Sequence, residues 1–242
     1  MIKTLVTAGC SFTIDHYQLT WADYLAQELN CKLINVAARG AGLNFISKRL
    51  ILSLQGASTD STLVGIMLPS SDRFDYYVDH EHVLKEDFVG ISSWQDGGKS
   101  SLVNLDGTLS DNSGYSLTGG QPRGHKAHWY KFFYNKTESY INYWFYVLLI
   151  QDYLKLRGFK YFFLSAYAID NNIEQSVNQS TNLIECDNLT NLIDFNSFIF
   201  HQDQLGFLDY VQSNEFEIKN HHPVTEAHND FVKKVVIPGL LK

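Results

Sequence analysis

The stretch 5-LVTAGCSFTID-15 runs from an apolar, β-prone segment straight into Gly9-Cys10-Ser11-Phe12-Thr13. A strand that is apolar on both faces belongs in the middle of a parallel sheet, covered by helices above and below. A glycine at its end permits a tight exit, and two small side chains with nucleophilic atoms follow at once. Either Cys10 and Ser11 merely fill the turn, or the turn exists to present one of them at the carboxyl edge of the sheet. Gly-x-Ser taken alone favours the first reading, so the rest of the chain has to decide.

The pattern downstream repeats strand and helix. Thr20 and Asp23 have capping-box spacing, and Trp21, Tyr24, Leu25 and Leu29 share one helical face. Leu33 to Ala37 reads as a second strand leading into Ala38-Arg39-Gly40-Ala41-Gly42, and Phe45, Ile46, Leu50 and Ile51 mark the helix after it. Thr62 to Leu68 is a third strand, ending at Pro69-Ser70-Ser71-Asp72-Arg73. This alternation predicts an α/β fold with right-handed crossovers and a central, mostly parallel sheet covered on both faces.

From residue 78 to 137 the periodicity gives way to Gly, Ser, Asp and His with repeated turn signals, which reads as an insertion in a single domain spanning residues 1–242. Glu138 to Leu156 is a strong helix closed by Gly158, and Tyr161 to Ser165 is a fourth strand. In the stretch 170–220, Leu192 to Phe195 and Phe198 to Phe200 suit either a strand or a buried turn of helix. Thr225 to Val236 carries a helical apolar stripe.

Composition removes several classes of function. A net charge of −7 with no cluster of Lys and Arg repels a polyphosphate, which excludes nucleic acid as a partner. The longest apolar run, near Tyr143 to Ile150, is too short to span a membrane, and no secretory signal is visible at Met1-Ile2-Lys3-Thr4. Cys10, Cys31 and Cys186 are an odd set with no CxxC spacing, as expected for a cytoplasmic protein. His80 and His82, then His125 and His128, have chelating spacings, but without cysteine or clustered carboxylates they read as solvated loop residues, so no metal is expected. Gly40-Ala41-Gly42 has Phe45 at the third position of GxGxxG, which argues against a dinucleotide, and no cofactor is expected.

In open α/β sheets, sites form beyond the carboxyl ends of the strands. The three loops Gly9 to Thr13, Arg39 to Asn44 and Pro69 to Arg73 converge there, and His221-His222-Pro223 can bring an imidazole to the same edge. A hydroxyl, a base and glycine-flanked backbone N–H groups are the parts that acyl transfer requires.

These segments carry a resemblance. Gly9-Cys10-Ser11-Phe12-Thr13, Asn35-Val36-Ala37-Ala38-Arg39-Gly40-Ala41-Gly42-Leu43-Asn44 and His222-Pro223-Val224-Thr225-Glu226-Ala227-His228 resemble, in order, blocks of the SGNH (GDSL-like) hydrolases, in their Gly-Cys-Ser-Phe-Thr variant of bacterial and phage type. The resemblance implies a flavodoxin-like three-layer α/β/α sandwich and a serine esterase. Ser11 is the expected nucleophile and His222 the base, with the N–H groups of Ser11 and Gly40 and the side chain of Ser71 as the oxyanion hole. Asn44 is a candidate substrate contact, Arg73 either contacts an anionic substrate group or pairs with Asp72 or Asp75, and Cys10 is a structural bystander. The implied substrate is an O-acyl ester of a carbohydrate or small metabolite.

Two positions depart from the family pattern. Ser71 stands where an asparagine is usual, and Lys219 occupies the place of the triad aspartate, three residues before His222. A backbone carbonyl or Glu217 is left to orient the imidazole. These departures keep two other readings open: a catalytically weak module that binds a glycan or partner through residues 78–137, and an O-acyltransferase.

Overall fold

The computed structural model describes residues 1–15, 17–78, 102–110, 113–117, 125–169, 188–202 and 204–242. Its centre is a parallel four-stranded sheet made of β1 (Thr4–Ala8), β2 (Lys32–Asn35), β3 (Thr62–Leu68) and β8 (Lys160–Ser165), in the order β2-β1-β3-β8. Every residue of β3 is buried. Leu63 and Met67 face one layer, while Val64, Ile66 and Leu68 face the other, which is why this strand reads as a continuous apolar run.

Helix α1 (Trp21–Glu28), α5 (Phe207–Ser213) and α6 (Thr225–Phe231) cover one face, where Trp21, Leu25, Phe207 and Phe231 pack on Leu5, Met67 and Phe162. Helix α2 (Leu43–Ser53) and α4 (Lys136–Arg157) cover the other, with Phe45, Leu50, Trp144, Val147 and Ile150 against Val6, Val64 and Phe163. The expected three-layer α/β/α sandwich is thus the observed one. Local signals act where the sequence places them: the Thr20 N–H donates to Asp23 Oδ2 at 2.8 Å, and α4 begins on an Asn135 cap and ends on left-handed Gly158. Beyond α6 the helical path widens into a π turn, Val232–Val236, before α7 (Ile237–Leu240), and the apolar stripe stays buried through it.

The stretch read as irregular contains regular structure. Strands β4 (Asp75–Val78), β5 (Leu102–Val103), β6 (Leu109–Ser110) and β7 (Gly114–Leu117) form a second, antiparallel sheet in the order β4-β7-β5-β6, followed by α3 (His125–Phe132). Strands of two to four residues are too short to show an alternation. Tyr115 fixes this sheet to α2, its ring 5.4 Å from that of Phe45 and its hydroxyl 3.0 Å from Lys48 Nζ. The ambiguous segment after residue 188 resolves into a 3₁₀ turn, Phe195–Ser197, and a single parallel bridge from Phe198 to Phe163 at the sheet edge. Cys186, His80 and His82 lie outside the described residues, and of His125 and His128 only the helical backbone is described. Among the described residues, no helix is long and apolar enough to cross a membrane, and no group of side chains is arranged to hold a metal ion.

Candidate active site

The turn after β1 separates its two small side chains. A Cβ on Gly9 would lie 2.3 Å from Thr13 Oγ1 and 2.9 Å from the Met67 carbonyl, so only glycine lets the chain turn this closely against β3. The Thr13 N–H then closes the turn on the Cys10 carbonyl at 2.9 Å. Within it Cys10 and Phe12 point into the core, whereas Ser11 is only half-buried. Ser11 is therefore the side chain that the turn leaves accessible.

Thr13 pins the turn. Its carbonyl accepts from Asn35 Nδ2 at 2.7 Å and Thr20 Oγ1 at 2.9 Å, and its hydroxyl accepts from the Trp21 indole at 3.2 Å. Asn35 also accepts the Ala37 N–H at 3.1 Å, which couples the first loop to the second. The second loop follows the first through the Ala38 N–H, 3.2 Å from the Gly9 carbonyl, and passes through Gly40 at φ +76°, a left-handed conformation that favours glycine. Neither the Ser11 N–H nor the Gly40 N–H donates to an acceptor among the described residues. Arg39 braces this loop from outside, 2.5 Å from Asp15 and over the Tyr17 ring.

The start of α2 is capped by a residue distant in sequence. The buried Asp75 carboxylate accepts the N–H groups of Gly42, at 2.8 and 3.0 Å, and Phe45, at 3.1 Å, where a carboxylate suits the positive end of the helix. Asn44, a candidate substrate contact, donates instead to the Asp75 carbonyl at 2.9 Å, and its Oδ1 is buried without a partner among the described residues.

In the third loop, the Ser71 carbonyl accepts from the Ser139 hydroxyl and the Asp72 carbonyl from the Tyr130 hydroxyl, which tie it to α4 and α3. Arg73 turns back toward the second loop, its Nη1 3.3 Å from the Ala41 carbonyl, and its charge acts on the hydroxyl of Tyr167, just past the end of β8. Burial opposes the Arg73 charge, but Cys10, Tyr167, Asp72 and Asp75 around it hold its pKa above the ordinary value. Burial raises the Tyr167 pKa, and the Arg73 charge moderates the rise.

His222 arrives on a hairpin of β9 (Ile218–Lys219) and β10 (His222–Pro223), whose two linking residues, Asn220 and His221, both have positive φ, as a type I′ turn requires. Its imidazole meets the Phe12 ring edge to face at 5.7 Å, beside Ser11 in the turn. Nδ1 lies 2.9 Å from the Asn220 carbonyl. A carbonyl only accepts, so Nδ1 carries a proton, and in the neutral ring the lone pair is on Nε2. Glu217 takes no part in this, being paired with Lys219 at 3.0 Å. No hydrogen bond joins Ser11 to His222 among the described residues.

His228, six residues on, is fully buried against Phe207 and accepts the Trp21 N–H on Nδ1 at 3.2 Å. Burial pushes its pKa down to about 3. Four strand ends thus contribute to one edge; sequence reasoning placed Thr13 and Asn35 in the motif blocks without giving them a role, did not foresee Asp75 as the cap of α2, and missed Tyr167. Tyr167 had a usable signal, its position two residues past a strand.

The sequence matches no known family model and none of the curated proteins. Among solved structures the chain is similar to the psychrotrophic esterase EstA from Pseudoalteromonas sp., in a structure inhibited by monoethylphosphonate, with a TM-score of 0.51 and 12% identity over 99% of this chain and 100% of that one. It is likewise similar to a GDSL-like lipase candidate from Parabacteroides merdae, with a TM-score of 0.50 and 14% identity over 100% of this chain and 99% of that one. At these identities the likeness establishes the fold alone, the three-layer α/β/α arrangement that this chain shares with those two proteins.

Proposed function

We propose that this chain is a serine esterase of SGNH type that removes an O-acyl group from a carbohydrate or small metabolite. The observation that carries the reading is the pair of unengaged backbone donors, the N–H groups of Ser11 and Gly40, beside the one small side chain that the β1 turn leaves accessible. Donors already fixed where negative charge develops are what lower an acyl-transfer barrier, each worth roughly 3 to 4 kcal/mol when removed.

In this mechanism Ser11 Oγ attacks the ester carbon while its proton passes to His222 Nε2. The carbonyl electrons move onto oxygen, which the N–H groups of Ser11 and Gly40 and the Ser71 side chain receive. Collapse breaks the bond to the alcohol, which leaves with the proton from His222, and water repeats the sequence on the acyl-enzyme. The Asn220 carbonyl supports the base by holding its tautomer. The hydrogen bond between Ser11 and His222 forms in this mechanism with substrate bound, a tightening common between free and substrate-bound enzymes.

A second reading, a catalytically weak module of this fold that binds a glycan or protein, is favoured by Lys219 in the acid position. One experiment separates the two. A fluorophosphonate probe labels the wild-type protein and spares Ser11→Ala under the esterase reading, and p-nitrophenyl acetate is turned over. Absence of both labelling and turnover in folded protein refutes it. Turnover that requires a sugar acceptor identifies an acyltransferase instead.

A further inference from the structure

The third loop lacks the side-chain amide expected of this fold's oxyanion hole, and Ser71 offers only a short hydroxyl on a loop tied outward by Ser139 and Tyr130. Two residues later a guanidinium lies at the same edge. Arg73 reaches the carbonyl of Ala41, the residue after Gly40, and Cys10, the residue before Ser11, is among the groups that act on its charge. It therefore touches the loop that carries the Gly40 N–H and feels the charge of the loop that carries the Ser11 N–H. Its backbone is also held close to Gly42, where an added Cβ would come within 3.1 Å of the Arg73 carbonyl.

The hydrogen-bond inventory of Arg73 is incomplete. A guanidinium has five N–H groups. One goes to the Ala41 carbonyl, the Tyr167 hydroxyl interacts with the charge, and among the described residues Arg73 forms no contact ion pair with a carboxylate. Asp75 spends its oxygens on the start of α2, and Asp72 accepts from the Ser70 hydroxyl. A half-buried cation with donors to spare is thus held against the loop that carries Gly40.

We propose that Arg73 is a catalytic residue that donates to the oxyanion formed on attack by Ser11, adding a charged donor to the neutral hydroxyl that Ser71 offers at the asparagine position. Tyr167 acts as a positioning residue by orienting the guanidinium. The assignment rests on the esterase reading and adds a full positive charge to it: as the ester carbonyl electrons move onto oxygen, the new negative charge faces Arg73 as well as the two N–H groups. Because the charge appears only during reaction, the contribution falls on kcat rather than on binding.

The test compares wild type, Arg73→Ala, Arg73→Lys and Ser71→Ala in full-length protein. The readouts are steady-state kinetics on neutral p-nitrophenyl acetate and on its carboxylate-bearing analogue p-nitrophenyl succinate, the rate of fluorophosphonate labelling, and Tm. Arg73→Ala is expected to lower kcat by about 100-fold or more on both esters with KM changed by less than about threefold, and to slow labelling in parallel. Arg73→Lys should fall between Arg73→Ala and wild type, and added guanidinium ion should partly restore Arg73→Ala. Ser71→Ala should lose at least about tenfold less than Arg73→Ala.

A rise in KM confined to the succinate ester overturns the proposal, because Arg73 would then be binding a substrate carboxylate. Equal losses in Arg73→Lys and Arg73→Ala that follow a fall in Tm, with no rescue, also overturn it, because Arg73 would then be only a structural tie. Wild type that is labelled and active while Arg73→Ala matches it refutes this assignment alone. Wild type that is neither labelled nor active refutes the esterase reading and this assignment with it.

Discussion

His222 and His228 stand six residues apart and live in different solvents. His222 rides on a hairpin, half-buried, with one ring nitrogen held by a backbone carbonyl and the other unengaged. His228 is enclosed by α1 and α5, its Nδ1 taken by the first N–H of α1 and its charged form suppressed by burial. One imidazole is presented and the other is used up as an acceptor. Residue type therefore says little about role here, and what separates the two is which nitrogen the fold has already consumed.

The largest effects should fall on the presented side. Ser11→Ala and His222→Ala are each expected to reduce turnover of p-nitrophenyl acetate by about 10³-fold or more with Tm close to wild type. The double variant should lose no more than the worse single one, because the two groups act as a unit. If His222→Ala retains activity while Ser11→Ala does not, His222 is not the base and the contrast between the two histidines fails.

On the enclosed side, the effect should appear in stability. His228→Ala leaves the Trp21 N–H without its acceptor and opens space beside Phe207, costing about 2–4 kcal/mol in denaturant unfolding. Turnover per folded molecule should fall far less than in His222→Ala. An activity loss comparable with that of His222→Ala would show that His228 does more than hold α1.

A pH titration of stability sharpens the same point. Unfolded His228 takes up a proton near pH 6.5, whereas the folded residue resists protonation until about pH 3. Between those values the unfolded state holds more protons, so stability is fully retained above about pH 6.5 and declines as pH falls, by on the order of 1 kcal/mol per pH unit from this group. His228→Gln, which can still accept from Trp21 but does not titrate, should flatten that decline. An unchanged acid limb would place the loss in the carboxylates.

Much of this organisation was legible from residues alone. The continuous apolar run of β3 and the capping signals of α1 and α4 are local, and they specified the layers. The β1 turn was legible as a turn, but the choice between Cys10 and Ser11 became physical only when Thr13, Asn35 and Trp21 fixed which side chain turns inward. Asp75 could not have been found, because it caps a helix that begins 32 residues before it and carries no cap of its own. The second sheet escaped notice because its strands are shorter than one clear alternation. Long-range partners and very short strands leave no period in a sequence.

The smallest expected effect tests how His222 is oriented. Lys219 is its cross-strand partner in the β9–β10 hairpin, so both side chains leave the ribbon on the same face with Cβ atoms about 5 Å apart. That geometry gives the Asp-x-x-His spacing a physical meaning: an acid at 219 reaches across the two-residue turn to Nδ1. At present the Asn220 carbonyl fills the role at 2.9 Å, fixing the tautomer without a full charge to stabilise the imidazolium. Lys219→Asp should therefore raise kcat about tenfold, while Lys219→Ala changes it by less than about twofold. Stability should move little, since the Lys219–Glu217 pair joins side chains 67% and 62% exposed, and such pairs are worth about 0–1 kcal/mol. Adding Glu217→Gln removes the repulsion a new aspartate would meet and should preserve or enlarge the gain. If Lys219→Asp behaves like Lys219→Ala, the carbonyl already does all that an orienting group can do at this hairpin, and the limit on catalysis lies in how closely His222 approaches Ser11.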